Sequence, residues 1–159
     1  MRVGNPSFAL LLAVIAGCGG EPRSADASAR VAARSGDESG EQLEKGIGPV
    51  KNVELEALDP ALAARGEQVF TLKCSACHKP DERYVGPALA DVTTRRTPEY
   101  VMNMILNPAE MVEKHPEARK LLAEFMTPMP DQNLTQDDAR AVLEYLRSLT
   151  ASTDESMED

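Results

Sequence analysis

Three stretches repeat apolar residues at helical spacing, each bounded by residues that start or stop helices. Residues 97–107 open with Thr97 as N-cap and Pro98 at the first helical position. They place Tyr100, Val101, Met104 and Ile105 on one face and stop at Asn107-Pro108. By this pattern Met104 belongs to the core and Met102 to the surface. Residues 116–126, "PEARKLLAEFM", begin on a proline and carry Ala118, Leu121, Leu122, Phe125 and Met126 in one amphipathic stripe. That stripe gives Met126 a packing role. Residues 134–149, "LTQDDARAVLEYLRSL", start on a capping-box pattern of Thr135 and Asp138, with Leu134 and Ala139 as a weak staple. Their broad apolar side comprises Val142, Leu143, Tyr145, Leu146 and Leu149. Upstream, Asp59 suits an N-cap and Pro60 a first helical position. The expected fold is all-α, with about four to five helices.

The N-terminal pattern differs. Residues 8–16 are an apolar run behind a single early Arg2, too short to span a bilayer comfortably and laid out like an export signal. It ends in "IAGC". Small residues before a cysteine resemble the lipobox of bacterial lipoproteins, which implies cleavage after residue 17 and acylation of Cys18. Residues 18–51 then lack apolar periodicity and read as a flexible linker with a root-mean-square reach of about 30–35 Å. Residues 52–150 form the expected domain. Residues 151–159 carry four acids and no base and read as an acidic disordered tail.

Charge narrows the functional classes. The net charge of −9 and the absence of a basic run argue against nucleic-acid binding. With three Phe, three Tyr and no Trp, a small core invites another filler. "CSACH", residues 74–78, supplies one. Two thiols three apart sit on one side of a turn and can add across the two vinyl groups of a haem, while the adjacent His78 faces the metal. A zinc site would want a second ligand pair, and a thioredoxin-like pair a βαβ context. Neither is apparent. Covalent haem c on Cys74 and Cys77, with His78 on the iron, is the expected cofactor arrangement.

The segment from about residue 52 to 150 resembles a class I, monohaem bacterial cytochrome c domain. "LDPALAARGEQVFTLKCSACH" is similar to the family's first helix running into the haem motif. The resemblance places Gly66 and Phe70 where that helix crosses the last one, paired with Tyr145. "YVGPAL" is similar to the family's G-P-x-L, which implies that the Pro87 carbonyl accepts a hydrogen bond from His78. For Arg95 and Arg96 a solvated helix approach is the expected role, with pairing to haem propionates the alternative.

For the sixth iron position the candidates are His115, Met111, Met126 and Met129. Thr127 and Met129 each precede a proline and are pushed toward extended geometry, which can present a side chain to a metal. Met129 also matches the family's M-P, so it is the expected ligand, with Met126 the next choice. His115, before Pro116, reads as a capping or surface residue. The connection from Asn107 to Met129 holds a helix-like segment that many family members lack.

Two axial protein ligands leave no site for substrate, so the expected role is an electron carrier and not an enzyme. The contrasting class is a haem sensor or peroxidase-like enzyme with an open or labile sixth position. The expected carrier is exported, lipid-anchored at the outer side of a membrane, and monomeric. Its expected partners are respiratory redox proteins, with nitrous-oxide reductase or a terminal oxidase as acceptor. The acidic balance favours a basic docking patch on such a partner.

Overall fold

In the computed structural model, residues 40–155 are described, with side chains through residue 151. The signal, Cys18, most of the linker and the last four residues lie outside the described residues. A helical segment at 40–45 (α1) precedes α2 (Pro60–Lys73), the single turn α3 (Val92–Arg95), α4 (Pro98–Leu106), α5 (Pro108–Lys114), α6 (Pro116–Phe125) and α7 (Gln136–Glu155). The fold is all-α, as expected. Among the described residues no helix is long and apolar enough to cross a membrane.

Local chemistry sets most of the helix starts. The Asp59 carboxylate accepts from the N–H groups of Ala61 and Leu62, at 2.9 and 3.2 Å. Thr97 Oγ1 accepts from Tyr100 N–H at 3.2 Å. Thr135 and Asp138 form the reciprocal box, with Asp138 N–H donating to Thr135 Oγ1 at 3.1 Å and Thr135 N–H to Asp138 Oδ2 at 3.2 Å. Proline occupies the first turn of α2, α4, α5 and α6, where its missing N–H costs no helical bond.

The frame is the crossing of α2 and α7. A Cβ on Gly66 would lie 1.9 Å from the Ala141 carbonyl oxygen and 3.0 Å from Tyr145 Cβ. Only a residue without a side chain permits that approach. One turn on, the Phe70 and Tyr145 rings pack with centroids 5.3 Å apart. Phe70, Val142, Leu143 and Leu146 from these two helices join Val101, Met102 and Ile105 of α4 in the main core.

Two expectations about the ends of the domain differ from the structure. Residues 46–53 form a strap across α4 and α5, where a free linker to residue 51 was expected. Asn103, fully buried, accepts from Val50 N–H at 2.9 Å and donates to the carbonyls of Val50 and Lys45 at 2.8 and 2.9 Å. Glu99 accepts from Val53 N–H at 2.8 Å, and the Met111 sulfur accepts from Ile47 N–H at 2.9 Å. Under this strap α4 is buried nearly all round. That is why Met102, expected at the surface, is 4% exposed, while Met104 is half-buried. At the other end, α7 continues to Glu155, past the expected start of the tail.

A buried carboxylate ties the start of α2 to α7. Glu144 accepts from Asp59 N–H at 2.8 Å and pairs with Arg140 and Arg147. Burial pushes its carboxyl upward, but the Asp59 N–H and the two guanidinium groups prevail and hold it below the ordinary carboxylate range.

Candidate functional site

Helix α2 ends by folding directly into the C-x-x-C-H segment. Cys74 N–H donates to Phe70 O at 2.8 Å, Cys77 N–H to Cys74 O at 3.0 Å and His78 N–H to Cys74 O at 2.9 Å. These bonds make residues 74–78 a tight turn, with both cysteines free and His78 at its end. Burial, with the neighbouring Cys77 as a lesser cause, pushes the Cys74 thiol up to about 11. Redox-active cysteine pairs have depressed thiol values instead.

The following loop returns to hold the imidazole. Gly86 N–H donates to Cys77 O at 2.9 Å, and His78 Nδ1 lies 3.1 Å from the Pro87 carbonyl, which can only accept. Nδ1 therefore carries the proton, and Nε2, which makes no hydrogen bond among the described residues, has its lone pair available. A Cβ on Gly86 would sit 2.5 Å from His78 Cε1, so the backbone itself forms the wall beside the ring.

Cys74, Cys77, His78, Pro87 and Met129 all line one cavity, together with apolar residues of α2, α4, α6 and α7. It encloses about 1350 Å³ of space free of atoms, part of it open to solvent. Met129 comes from the irregular segment between α6 and α7 and is half-buried there. Met126 does not occupy the stripe expected of it. It ends α6 in a left-handed conformation, φ 53°, and its side chain is 81% exposed. The helical repeat stops one residue earlier, at Phe125, and the change of backbone hand turns Met126 away from both core and cavity. Met111 is fully buried beneath the strap and outside the lining.

His115 also lies outside the lining. It is 1% exposed, not at the surface, and it does cap: Nδ1 accepts from Glu117 N–H at 3.2 Å, while Nε2 lies 3.2 Å from Leu43 O. Arg95 and Arg96 line the cavity wall while paired with Asp91 and Glu117. Tyr100 lines the same wall, its ring centroid 4.9 Å from the Arg96 guanidinium carbon; it is 4% exposed, and its buried hydroxyl has no hydrogen-bond partner among the described residues. No sequence signal marked that hydroxyl.

These features fit a haem. A cavity with mainly apolar walls suits a macrocycle, two thiols and an imidazole nitrogen stand at its edge, and an unpartnered hydroxyl with two nearby guanidinium groups suits its carboxylates. The fold and this donor set define the small all-α class built around one covalently attached haem c.

The chain belongs to the cytochrome c family, whose model matches residues 63–150. It is similar to cytochrome c-551 of Stutzerimonas stutzeri, 32% identical over 94 residues that cover 58% of this chain and 85% of that one. Among solved structures it is similar to a cytochrome c from Rhodothermus marinus, at 50% identity and TM-score 0.68, covering 70% of this chain and 97% of that one. A cytochrome c domain from Pseudomonas putida matches at 29% identity and TM-score 0.53, covering 59% and 95%.

Proposed function

We propose that this chain is a membrane-tethered monohaem c-type cytochrome that passes single electrons between respiratory partners at the outer side of a membrane. The observation that carries the reading is the convergence of Cys74, Cys77, His78 and Met129 on one cavity. Cys74 and Cys77 would form the two thioether links. His78 would ligate iron through Nε2, with the Pro87 carbonyl fixing its ring and raising its basicity. Met129 would close the sixth position as a thioether, a ligand that favours the reduced metal and a raised potential. When bound, the haem supplies a one-electron iron couple.

The protein's own part is to exclude water and hold both ligands through the change of charge. His115, the other histidine, is engaged by Leu43 and Glu117 and lies outside the cavity, which argues against a distal acid–base group. Cys18 would carry the lipid, tethering the domain through the preceding segment. Nitrous-oxide reductase and a terminal oxidase are the two acceptors consistent with this reading.

The test is near-infrared absorption of the ferric protein. The weak thioether-to-iron band should persist in Met126→Ala and vanish in Met129→Ala. Persistence in Met129→Ala would falsify the ligand assignment. Rapid carbon monoxide binding by the unmutated reduced protein would move the protein to the sensor or enzyme class.

A further inference from the structure

The segment that carries Met129 has little of its own to hold it. Among the described residues, 127–134 make no backbone–backbone hydrogen bond. Their bonds are local: Gln132 Nε2 donates to Pro130 O at 3.3 Å, and Asn133 N–H to Asp131 Oδ1 at 2.7 Å. The position of such a run is set by its two ends. The downstream end is the Thr135–Asp138 box, where Arg65 of α2 also donates to Asp138 Oδ1 at 2.7 Å.

The upstream end is the last turn of α6, and one side chain grips it. Arg83 Nη1 donates to Glu124 Oε1 at 2.5 Å, and Nη2 to the Glu124 carbonyl at 3.1 Å. Its guanidinium carbon stands 4.1 Å from the centroid of the Phe125 ring. The carbonyl is among the last four of the helix, which lack an intrahelical donor. An exposed ion pair alone contributes little, because solvent screens it. Here the ion pair, a helix C-terminal bond and a cation–π contact converge on one turn.

Arg83 is itself well founded. Its loop is closed by Gly86 N–H to Cys77 O at 2.9 Å and by Leu89 and Ala90 N–H to Pro80 O at 3.0 and 2.9 Å. That is the same loop that orients His78.

We propose that Arg83 is a positioning residue that couples the His78 loop to the end of α6 and thereby holds Met129 at the cavity. The inference rests on Met129 being the sixth ligand.

The holoprotein and its Arg83→Ala, Arg83→Lys and Lys114→Ala variants should be compared by amide hydrogen exchange across residues 122–130. The rate at which imidazole displaces the methionine from ferric iron is the second readout. Arg83→Ala should accelerate both by about fivefold, Arg83→Lys by less. Lys114→Ala, which breaks a surface pair on α5, should change neither. Unchanged exchange in Arg83→Ala overturns the clamp. Faster exchange with an unchanged imidazole rate overturns its bearing on Met129. Absence of the thioether band from the unmutated protein sinks the ligand reading instead, and the exchange data still decide the clamp.

Discussion

The two segments that bring His78 and Met129 to the cavity are built in opposite ways. The His78 side is a closed turn and loop in which successive backbone groups bond to one another and the Pro87 carbonyl meets the ring. The Met129 side is irregular chain between two helix ends, held by Arg83 at one and by the Thr135–Asp138 box at the other. A side chain fixed by its own backbone keeps its geometry while neighbours move. A side chain fixed through its flanks inherits every loosening of those flanks. The contrast places stiffness on the imidazole and adjustability on the thioether.

The largest effect should come from the frame that both sides hang from. Gly66→Val drives side-chain atoms into the Ala141 carbonyl, a backbone group that cannot swing aside. It should destabilise the holoprotein by about 3 kcal/mol or more, read as a large fall in thermal midpoint. An unchanged midpoint would mean that the helices do not cross as described.

Next is Gly86→Ala, which presses a methyl group on His78. A cost of about 2 kcal/mol and a shifted haem spectrum are expected, because the stiff side has no slack. If the spectrum stays as it was, the stiffness assigned to this side is wrong.

Acid should act on the frame through Glu144. Its folded value lies below 4.5, so the unfolded chain takes up the proton first. Its contribution is complete above that value and is lost as pH falls through the lower folded one. Stability of the unmutated protein should therefore decline more steeply below about pH 4.5 than that of Glu144→Gln. Denaturant midpoints of the two proteins across pH 3 to 6 would show it. Parallel pH profiles would remove Glu144 from the account.

The smallest change expected is a gain. Met126→Gly relieves a left-handed residue at the end of α6 but frees the unfolded chain, for a net stabilisation of about 0.5 kcal/mol. The thioether band should remain. A lost band would show that the exposed methionine, not Met129, meets the iron.

Much of this was legible because it is written locally. Asp59, Thr97, Pro98, Pro116 and the Thr135–Asp138 box are short-range bonds between residues a few positions apart, and each starts the helix it was expected to start. The strap was illegible because its partners are remote. Nothing in "KGIGPVKNV" announces that its N–H groups will meet Asn103, Glu99 and Met111. Met126 was misplaced for a related reason. Periodicity extends a stripe until something stops it, and here the stop is a change of backbone hand that apolarity does not encode.

By itself the sequence determined the helices α2, α4, α6 and α7, their starts and the chemistry of the C-x-x-C-H turn, since these depend on bonds within a few residues; α3, α5 and the segment at 40–45 were not legible. Tertiary structure alone decided that Met126 turns out to solvent while Met104 joins Met129 in the cavity lining, that an N-terminal segment is part of the core, and that Tyr100 keeps a buried hydroxyl beside the cavity. It also decided that Arg83 reaches the end of α6. Those outcomes depend on which remote groups arrive within a few ångströms of each other, and that is fixed only when α2, α4 and α7 close around a common core.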